Sequence, residues 1–154
     1  MASQIEAEIL AFKDLRKDEI EPLVRASEAE GFQFVRRVVV EWASGANRFS
    51  RDGERLIGAF LDRRLVAICG LNRDPYQDDP TVGRLRNLYV LPEFRRRGLG
   101  EALTRRVIEL AGSAFRLLRL RAATPEAAVF YERLGFSKAI DLPNCTHALP
   151  LNQV

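Results

Sequence analysis

A chain of 154 residues, 47% hydrophobic and 29% charged, is long enough for one buried core and has the composition of an ordinary water-soluble domain. No apolar stretch is long enough to span a bilayer, and the acidic N-terminus lacks the basic-then-apolar order of a secretory signal, so a cytoplasmic protein without a membrane partner is expected. The formal net charge is only +3, and one His with two distant cysteines, Cys69 and Cys145, gives neither a zinc spacing nor a disulfide framework.

Taken in chain order, Ile9–Phe12 is a short apolar run expected to form a first strand. Ile20, Leu23, Val24 and Ser27 recur at helical spacing between Lys17 and Glu30, and Gly31 ends that pattern. Val35, Val38, Val39 and Trp42 carry the same spacing and predict a second helix over Phe34–Trp42. Leu56–Leu61 and Leu65–Leu71 read as strands joined at Asp62-Arg63-Arg64, with Cys69 as a small core residue. Asn72–Gly83 holds two Asp-Pro pairs and reads as a loop; Leu85, Leu88 and Val90 then belong to a strand ending at Pro92. Leu103, Val107, Leu110 and Ala114 form one helical face. Leu117–Ala122 alternates, with Arg119 and Arg121 expected on the open side of a half-covered strand. Thr124-Pro125 is a helix start, Gly135 closes that helix, and Phe136–Lys138 and Thr146–Leu149 are the final strands. With no repeat or linker, residues 1–154 are expected to be a single domain of α/β or α+β type, with helices on both faces of one sheet.

Arg95-Arg96-Arg97-Gly98-Leu99-Gly100 sits between a predicted strand and a predicted helix. A helix N-terminus offers free N–H groups and partial positive charge, glycines let a phosphate approach the backbone, and arginines add charged donors. The chemistry indicated is pyrophosphate binding. It is not a nucleoside-triphosphate loop, since Glu101-Ala102 follow Gly100 where Lys-Ser/Thr would be needed. Nor is it a dinucleotide fingerprint, because Leu103 stands where the third glycine would be. Basic residues elsewhere are scattered without interleaved aromatics, which argues against nucleic acid as a partner.

In its wider context, Leu85–Gly100 resembles the coenzyme A motif of the GNAT acyltransferase superfamily, with Arg95, Gly98 and Gly100 at the fixed positions of Arg/Gln-x-x-Gly-x-Gly/Ala. A second block, Thr124–Phe136, resembles the family's Asn-x-x-Ala-x-x-φ-Tyr-x-x-φ-Gly-Phe, with Thr124 in place of the usual Asn. The resemblance implies a central mixed, mostly antiparallel sheet of about six to seven strands flanked by about four helices. It implies N-acetyl transfer from acetyl-CoA to an amine of a small molecule or protein, with no metal. It places the coenzyme on Leu88, Tyr89, Val90, Arg95, Arg96, Arg97, Gly98, Leu99, Gly100, Thr124, Ala127 and Tyr131, with Tyr131 near the thioester sulfur.

Tyr131, a phenol protonated at neutral pH, is the candidate general acid. No carboxylate stands on the strand before the loop, where Asn87 is found. Glu28, Glu30, Asp78 and Asp79 border the expected acceptor side and are candidate bases, each more in keeping with a solvated surface residue. His147 titrates usefully, although a structural role is the safer expectation. Phe32 and Phe34 are candidate linings of an apolar acceptor cleft. The residues do not name the acceptor and leave a homodimer open. A non-catalytic acyl-CoA sensor is the competing function.

Overall fold

The computed structural model describes residues 6–139 and 142–151. β1 (Glu8–Ala11) is followed by α1 (Lys17–Ala29), α2 (Phe34–Ser44), β2 (Arg55–Leu61), β3 (Arg64–Arg73), β4 (Val82–Val90), α3 (Leu99–Gly112), β5 (Leu117–Leu120), α4 (Pro125–Arg133), β6 (Ser137–Lys138) and β7 (His147–Pro150). One 7-stranded sheet runs in the order β1-β2-β3-β4-β5-β7-β6. Every pairing is antiparallel except β4 with β5.

Local chemistry accounts for the element ends. Gly45 caps α2 in the left-handed region at φ 84°. Thr124 caps α4, its Oγ1 accepting from the Ala127 amide at 3.1 Å, with Pro125 at the first helical position. Asp62 and Arg63, at φ 47° and 67°, make the two-residue turn that joins β2 to β3. The β3–β4 loop is shorter than the Asn72–Gly83 segment expected, because Asn72 pairs with Arg84 and Arg73 with Gly83, carrying both strands further.

The two faces of the sheet can be told apart from its glycines. A Cβ at Gly70 would lie 2.7 Å from Phe49 of the α2–β2 loop, whereas one at Gly83 would lie 2.7 Å from Phe115, just past α3. Gly70 pairs with Arg86, and Arg86 is an odd number of residues from Gly83, so these contacts are on opposite faces. α1, α2 and the α2–β2 loop therefore cover one face. Leu99, Leu103, Val107 and Ala111 of α3 bury the other, with Phe115 and α4 beside them.

A β-bulge interrupts this alternation at the site. Ile68 pairs with Tyr89 and Gly70 with Arg86, so Cys69 alone opposes both Asn87 and Leu88. Asn87 takes φ 63°, a conformation asparagine tolerates better than most residues. The extra residue brings Arg86 and Tyr89 to the same face, which their spacing of three would otherwise forbid.

Leu117–Ala122 departs from expectation. Arg119, expected on an open face, is 1% exposed. Its Nη1 lies 3.4 Å from the fully buried carboxylate of Asp74, and its Nη2 donates to the Pro143 carbonyl at 2.7 Å. Arg84, its neighbour across β4 and β5, shares Asp74 at 3.5 Å and donates to the Asn144 carbonyl at 2.7 Å. The segment before β7 thus lies over Arg119, whereas Arg121 is exposed as expected.

Asn87→Val puts a β-branched side chain at a left-handed position and should lower the unfolding free energy by about 1–2 kcal/mol. Asn87→Gly should stay within about 1 kcal/mol of wild type. Urea denaturation of the two variants checks this, and equal losses would show that the bulge makes no such demand.

Candidate active site

β4 and β5 are hydrogen-bonded partners over only three residue pairs, Val82–Leu117, Gly83–Leu118 and Arg84–Arg119. Past Arg84, β4 continues to Val90 with β3 on one side and no strand on the other. Because the two strands run parallel, the gap widens toward their C-terminal ends and leads to the head of α3. Leu88 and Val90 line it as partly buried side chains.

At that head the chain makes a 3₁₀ turn, Pro92–Phe94, then bends through Arg96 at φ 63° and Gly98 at φ 85°. Gly98 is the N-cap of α3, and its carbonyl accepts from the Ala102 amide at 3.0 Å. No carbonyl or side chain of the described residues accepts from the amides of Arg96, Arg97, Gly98, Leu99, Gly100 or Glu101. These N–H groups form a nest with the partial positive charge of the helix behind it. A Cβ at Gly100 would face Phe130 at 3.7 Å and Val90 at 3.9 Å, so the loop, β4 and α4 meet at this point. Arg96 and Arg97 are exposed, with no ion-pair partner among the described residues.

Arg95 is turned elsewhere. Its guanidinium donates to both oxygens of Glu30, at 2.8 and 2.7 Å, and its Nε donates to the Val90 carbonyl at 2.9 Å. Tyr89 completes the clamp: its hydroxyl donates to Glu30 at 2.6 Å and its ring lies under the Arg95 guanidinium. Arg95, followed by the Tyr89 hydroxyl, holds the Glu30 carboxyl below its ordinary range. Burial, followed by the bond to Glu30, pushes the Tyr89 phenol up. The clamp ties the end of α1 to the loop before α3. No local pattern announces it, since Glu30 and Arg95 are far apart in the chain.

Tyr131 is 8% exposed and packs edge-on against Phe130 and Phe136. Burial, with a smaller contribution from the Cys69 thiol, raises its pKa, so the phenol keeps its proton. Cys69 is itself pushed up to about 12 by burial and is an inert thiol. Ala127 helps the site through its amide, which binds the Thr124 hydroxyl.

The candidate bases are mostly engaged. Glu28 receives two hydrogen bonds from Arg36, at 3.0 and 2.8 Å, which lower its pKa. Asp79 is pulled down to about 2 by the Thr81 hydroxyl and then Arg116. Asp78 is exposed. His147 is buried between α4 and β7: Nε2 lies 2.8 Å from Glu132 Oε2 and Nδ1 lies 2.8 Å from Thr146 Oγ1. With a carboxylate as acceptor, Nε2 carries the proton, and the ring is a structural cross-link. Phe34 meets Tyr89 edge-on, and Phe32 is exposed beside it. Sequence reasoning missed Glu54, a buried carboxylate that binds Asn72 and the Arg73 amide at 3.0 and 2.9 Å. Among the described residues no group of three or more His, Cys, Asp or Glu is placed to hold a metal, and no helix is long and apolar enough to cross a membrane.

A family model for the acetyltransferase (GNAT) domain matches residues 52–138, which include the bulge, the nest and Tyr131. The chain belongs to the GNAT acetyltransferase family. Solved structures agree with this GNAT assignment. A protein of Exiguobacterium sp. 255-15, classed provisionally as an acetyltransferase, is 30% identical with a TM-score of 0.83, the match covering 95% of this chain and 94% of that one. A GNAT-family acetyltransferase of Staphylococcus aureus Mu50 is 19% identical (TM-score 0.73, covering 96% and 100%). The ribosomal-protein-S18-alanine N-acetyltransferase of Escherichia coli is 20% identical (TM-score 0.68, covering 97% and 96%). At these last identities the likeness is one of fold. No curated protein matches the chain.

The clamp has a pH signature. A carboxyl held below its ordinary value stabilises the fold above the unfolded pKa of about 4.3, and the contribution fades as pH falls through the lower folded value. Glu30→Gln should therefore lower stability modestly at neutral pH, because the Glu30 and Arg95 side chains are 30% and 41% exposed. Urea midpoints of the two proteins should converge as the pH falls from neutral through the lowered Glu30 value. A gap that stays constant would exclude the ionised clamp.

Proposed function

We propose that this GNAT domain is a cytoplasmic N-acetyltransferase that moves an acetyl group from acetyl-CoA to a primary amine of a small molecule or protein by direct attack on the thioester. The observation that carries the reading is the run of free amides from Arg96 to Glu101, set at the mouth of the gap between β4 and β5. A pyrophosphate on that nest would meet Arg96 and Arg97 at its rim, and the pantetheine arm would follow the open edge of β4, past Leu88, Tyr89 and Val90, with Thr124 and Ala127 on the facing side.

In the reaction the amine nitrogen attacks the thioester carbon, the new C–N bond forms, and the C–S bond breaks. Amides on the unpaired edge of β4 suit the oxyanion, since they need no reorganisation to meet it. Tyr131 suits the departing sulfur. A thiol's pKa is about 8.5, so full proton transfer from a buried phenol is uphill, and the hydroxyl acts chiefly as a hydrogen-bond donor to the developing thiolate. Glu28, Glu30 and Asp79 are held ionised by arginines, so the amine enters neutral and loses its surplus proton to water. That same engagement of the carboxylates favours a second reading, a non-catalytic acyl-CoA sensor. Thiol release from acetyl-CoA with a panel of amines decides between the two.

Gly98→Glu places bulk and negative charge in the nest and should weaken CoA binding more than tenfold, or about 1.4 kcal/mol, in protein shown to be folded by its thermal transition. An unchanged Kd by calorimetry would remove the phosphate from the head of α3. Tyr131→Phe should lower kcat at least tenfold while leaving the CoA Kd within about twofold. Equal turnover by the two proteins would take Tyr131 out of the mechanism.

A further inference from the structure

On the face covered by α1 and α2, a cavity of about 630 Å³ lies between the α2–β2 loop and the β3–β4 loop, its lining including Glu41, Arg51, Asn72, Asp78 and Arg86. Arg86 is its connection to the gap. It precedes the bulge at Asn87, it shares a face with Tyr89, and it lies on β4 where pairing with β5 has ended. An acceptor in this cavity would approach the carbonyl from the side opposite Tyr131, which packs on the α3 face. That arrangement leaves Tyr131 free to face the sulfur while the amine adds to the carbonyl carbon.

The charges of the wall are not balanced by their own neighbours. Arg86 is half-buried, and no carboxylate or carbonyl of the described residues accepts from its guanidinium. Asp74, a buried anion on the same lining, is already shared by Arg84 and Arg119, and the Nε and Nη1 of Arg119 are buried without a hydrogen-bond partner. Burial lowers the Arg84 pKa, Asp74 opposes that, and the charges of Arg86 and Arg119 add to the lowering. Glu54 is taken up by Asn72 and the amides of Arg51 and Arg73. Asp74 and Glu54 are therefore already engaged, and Arg86 faces the open volume with no anion of its own among the described residues. Guanidinium matches a carboxylate's two oxygens. On the same lining, Glu41 and Asp78 have no cation partner among the described residues, and they supply the opposite sign.

Resting on the N-acetyltransferase reading, we propose that the acceptor is a small amino acid-like molecule carrying a carboxylate as well as the reacting amine, and that Arg86 is the residue that selects it by binding the carboxylate. Arg86 is a specificity-determining residue, outside the groups that touch the thioester.

The test uses the full chain, acetyl-CoA, and the protein amino acids, each paired with its carboxamide. Wild type should favour at least one acid over its amide by about tenfold or more in kcat/KM, as expected when a charge-assisted pair is lost. Arg86→Met should abolish that preference, Arg86→Lys should restore part of it, and the CoA Kd of both variants should match wild type. Turnover without preference for the acid, or a preference that survives in Arg86→Met, would overturn the inference while leaving the enzyme reading intact. Calorimetry of the N-acetylated acids and amides in the presence of CoA reads the same site without turnover. Arg86-dependent binding of the acids with no turnover of any amine would support the anion site and refute the enzyme. No binding and no turnover would refute both.

Discussion

Three pairs of residues carry the sheet from β4 to β5, and beyond Arg84 and Arg119 the backbone of β4 runs on with one edge unpaired. Parallel strands that part at their C-terminal ends leave a slot whose floor is hydrogen-bonded and whose mouth opens at a helix N-terminus. Everything assigned to the donor side is arranged along that slot: the nest at the mouth, the unpaired edge along its length, and Tyr131 on one wall. The bulge at Asn87 sits partway along it and turns Arg86 and Tyr89 to the opposite face. In the proposed reading, one inserted residue would let a single strand serve the coenzyme with its edge and the acceptor with its side chains.

A slot cut into a sheet weakens the seam below it, and the compensation here is ionic. Arg84 and Arg119 are the last paired residues, and Asp74 lies against both. Their outer nitrogens hold the carbonyls of Asn144 and Pro143, which draws the segment before β7 onto the seam. Buried ion clusters stabilise weakly by themselves, but removing one member leaves uncompensated charge in the interior, so the arrangement is specific in geometry. Arg86, further along the same face of β4, lines the cavity next to the seam. The two roles follow from one choice of side chains on one face of β4.

Much of this was readable in the residues. The helices follow from apolar spacing, and α4 from the Thr124-Pro125 pair. The turn into α3 follows from Gly98 and Gly100 after a strand, and the GNAT family from the two motif blocks. What was not readable depends on partners distant in the chain. Arg119 looks like a solvent-facing residue of an alternating strand, and only Asp74 and Pro143 make it interior. Arg95 looks like a phosphate ligand, and only the position of Glu30 at the end of α1 turns it into a clamp. The ends of β3 and β4 were set short because Asp-Pro pairs mark a loop but do not say how far cross-strand bonds extend into it. Asn87 carries no local sign of a bulge; its left-handed backbone comes from the register imposed by β3.

The short seam between β4 and β5 also divides the molecule mechanically. On one side lie β1 to β4 with α1 and α2; on the other lie β5, β7, β6 and α4, and beside the core that both share, the sheet itself passes between them through three backbone pairs reinforced by one ion cluster. Such a boundary is where partial opening and amide exchange are expected to begin, at a lower free energy than global unfolding. A donor molecule lying in the slot would touch both halves and act as a removable staple. At a hundredfold excess over its dissociation constant it would add about 2.7 kcal/mol to the cost of parting them. The lifetime of the folded chain would then follow the cellular supply of its own acyl donor, with the protein sturdiest when it has substrate to work on.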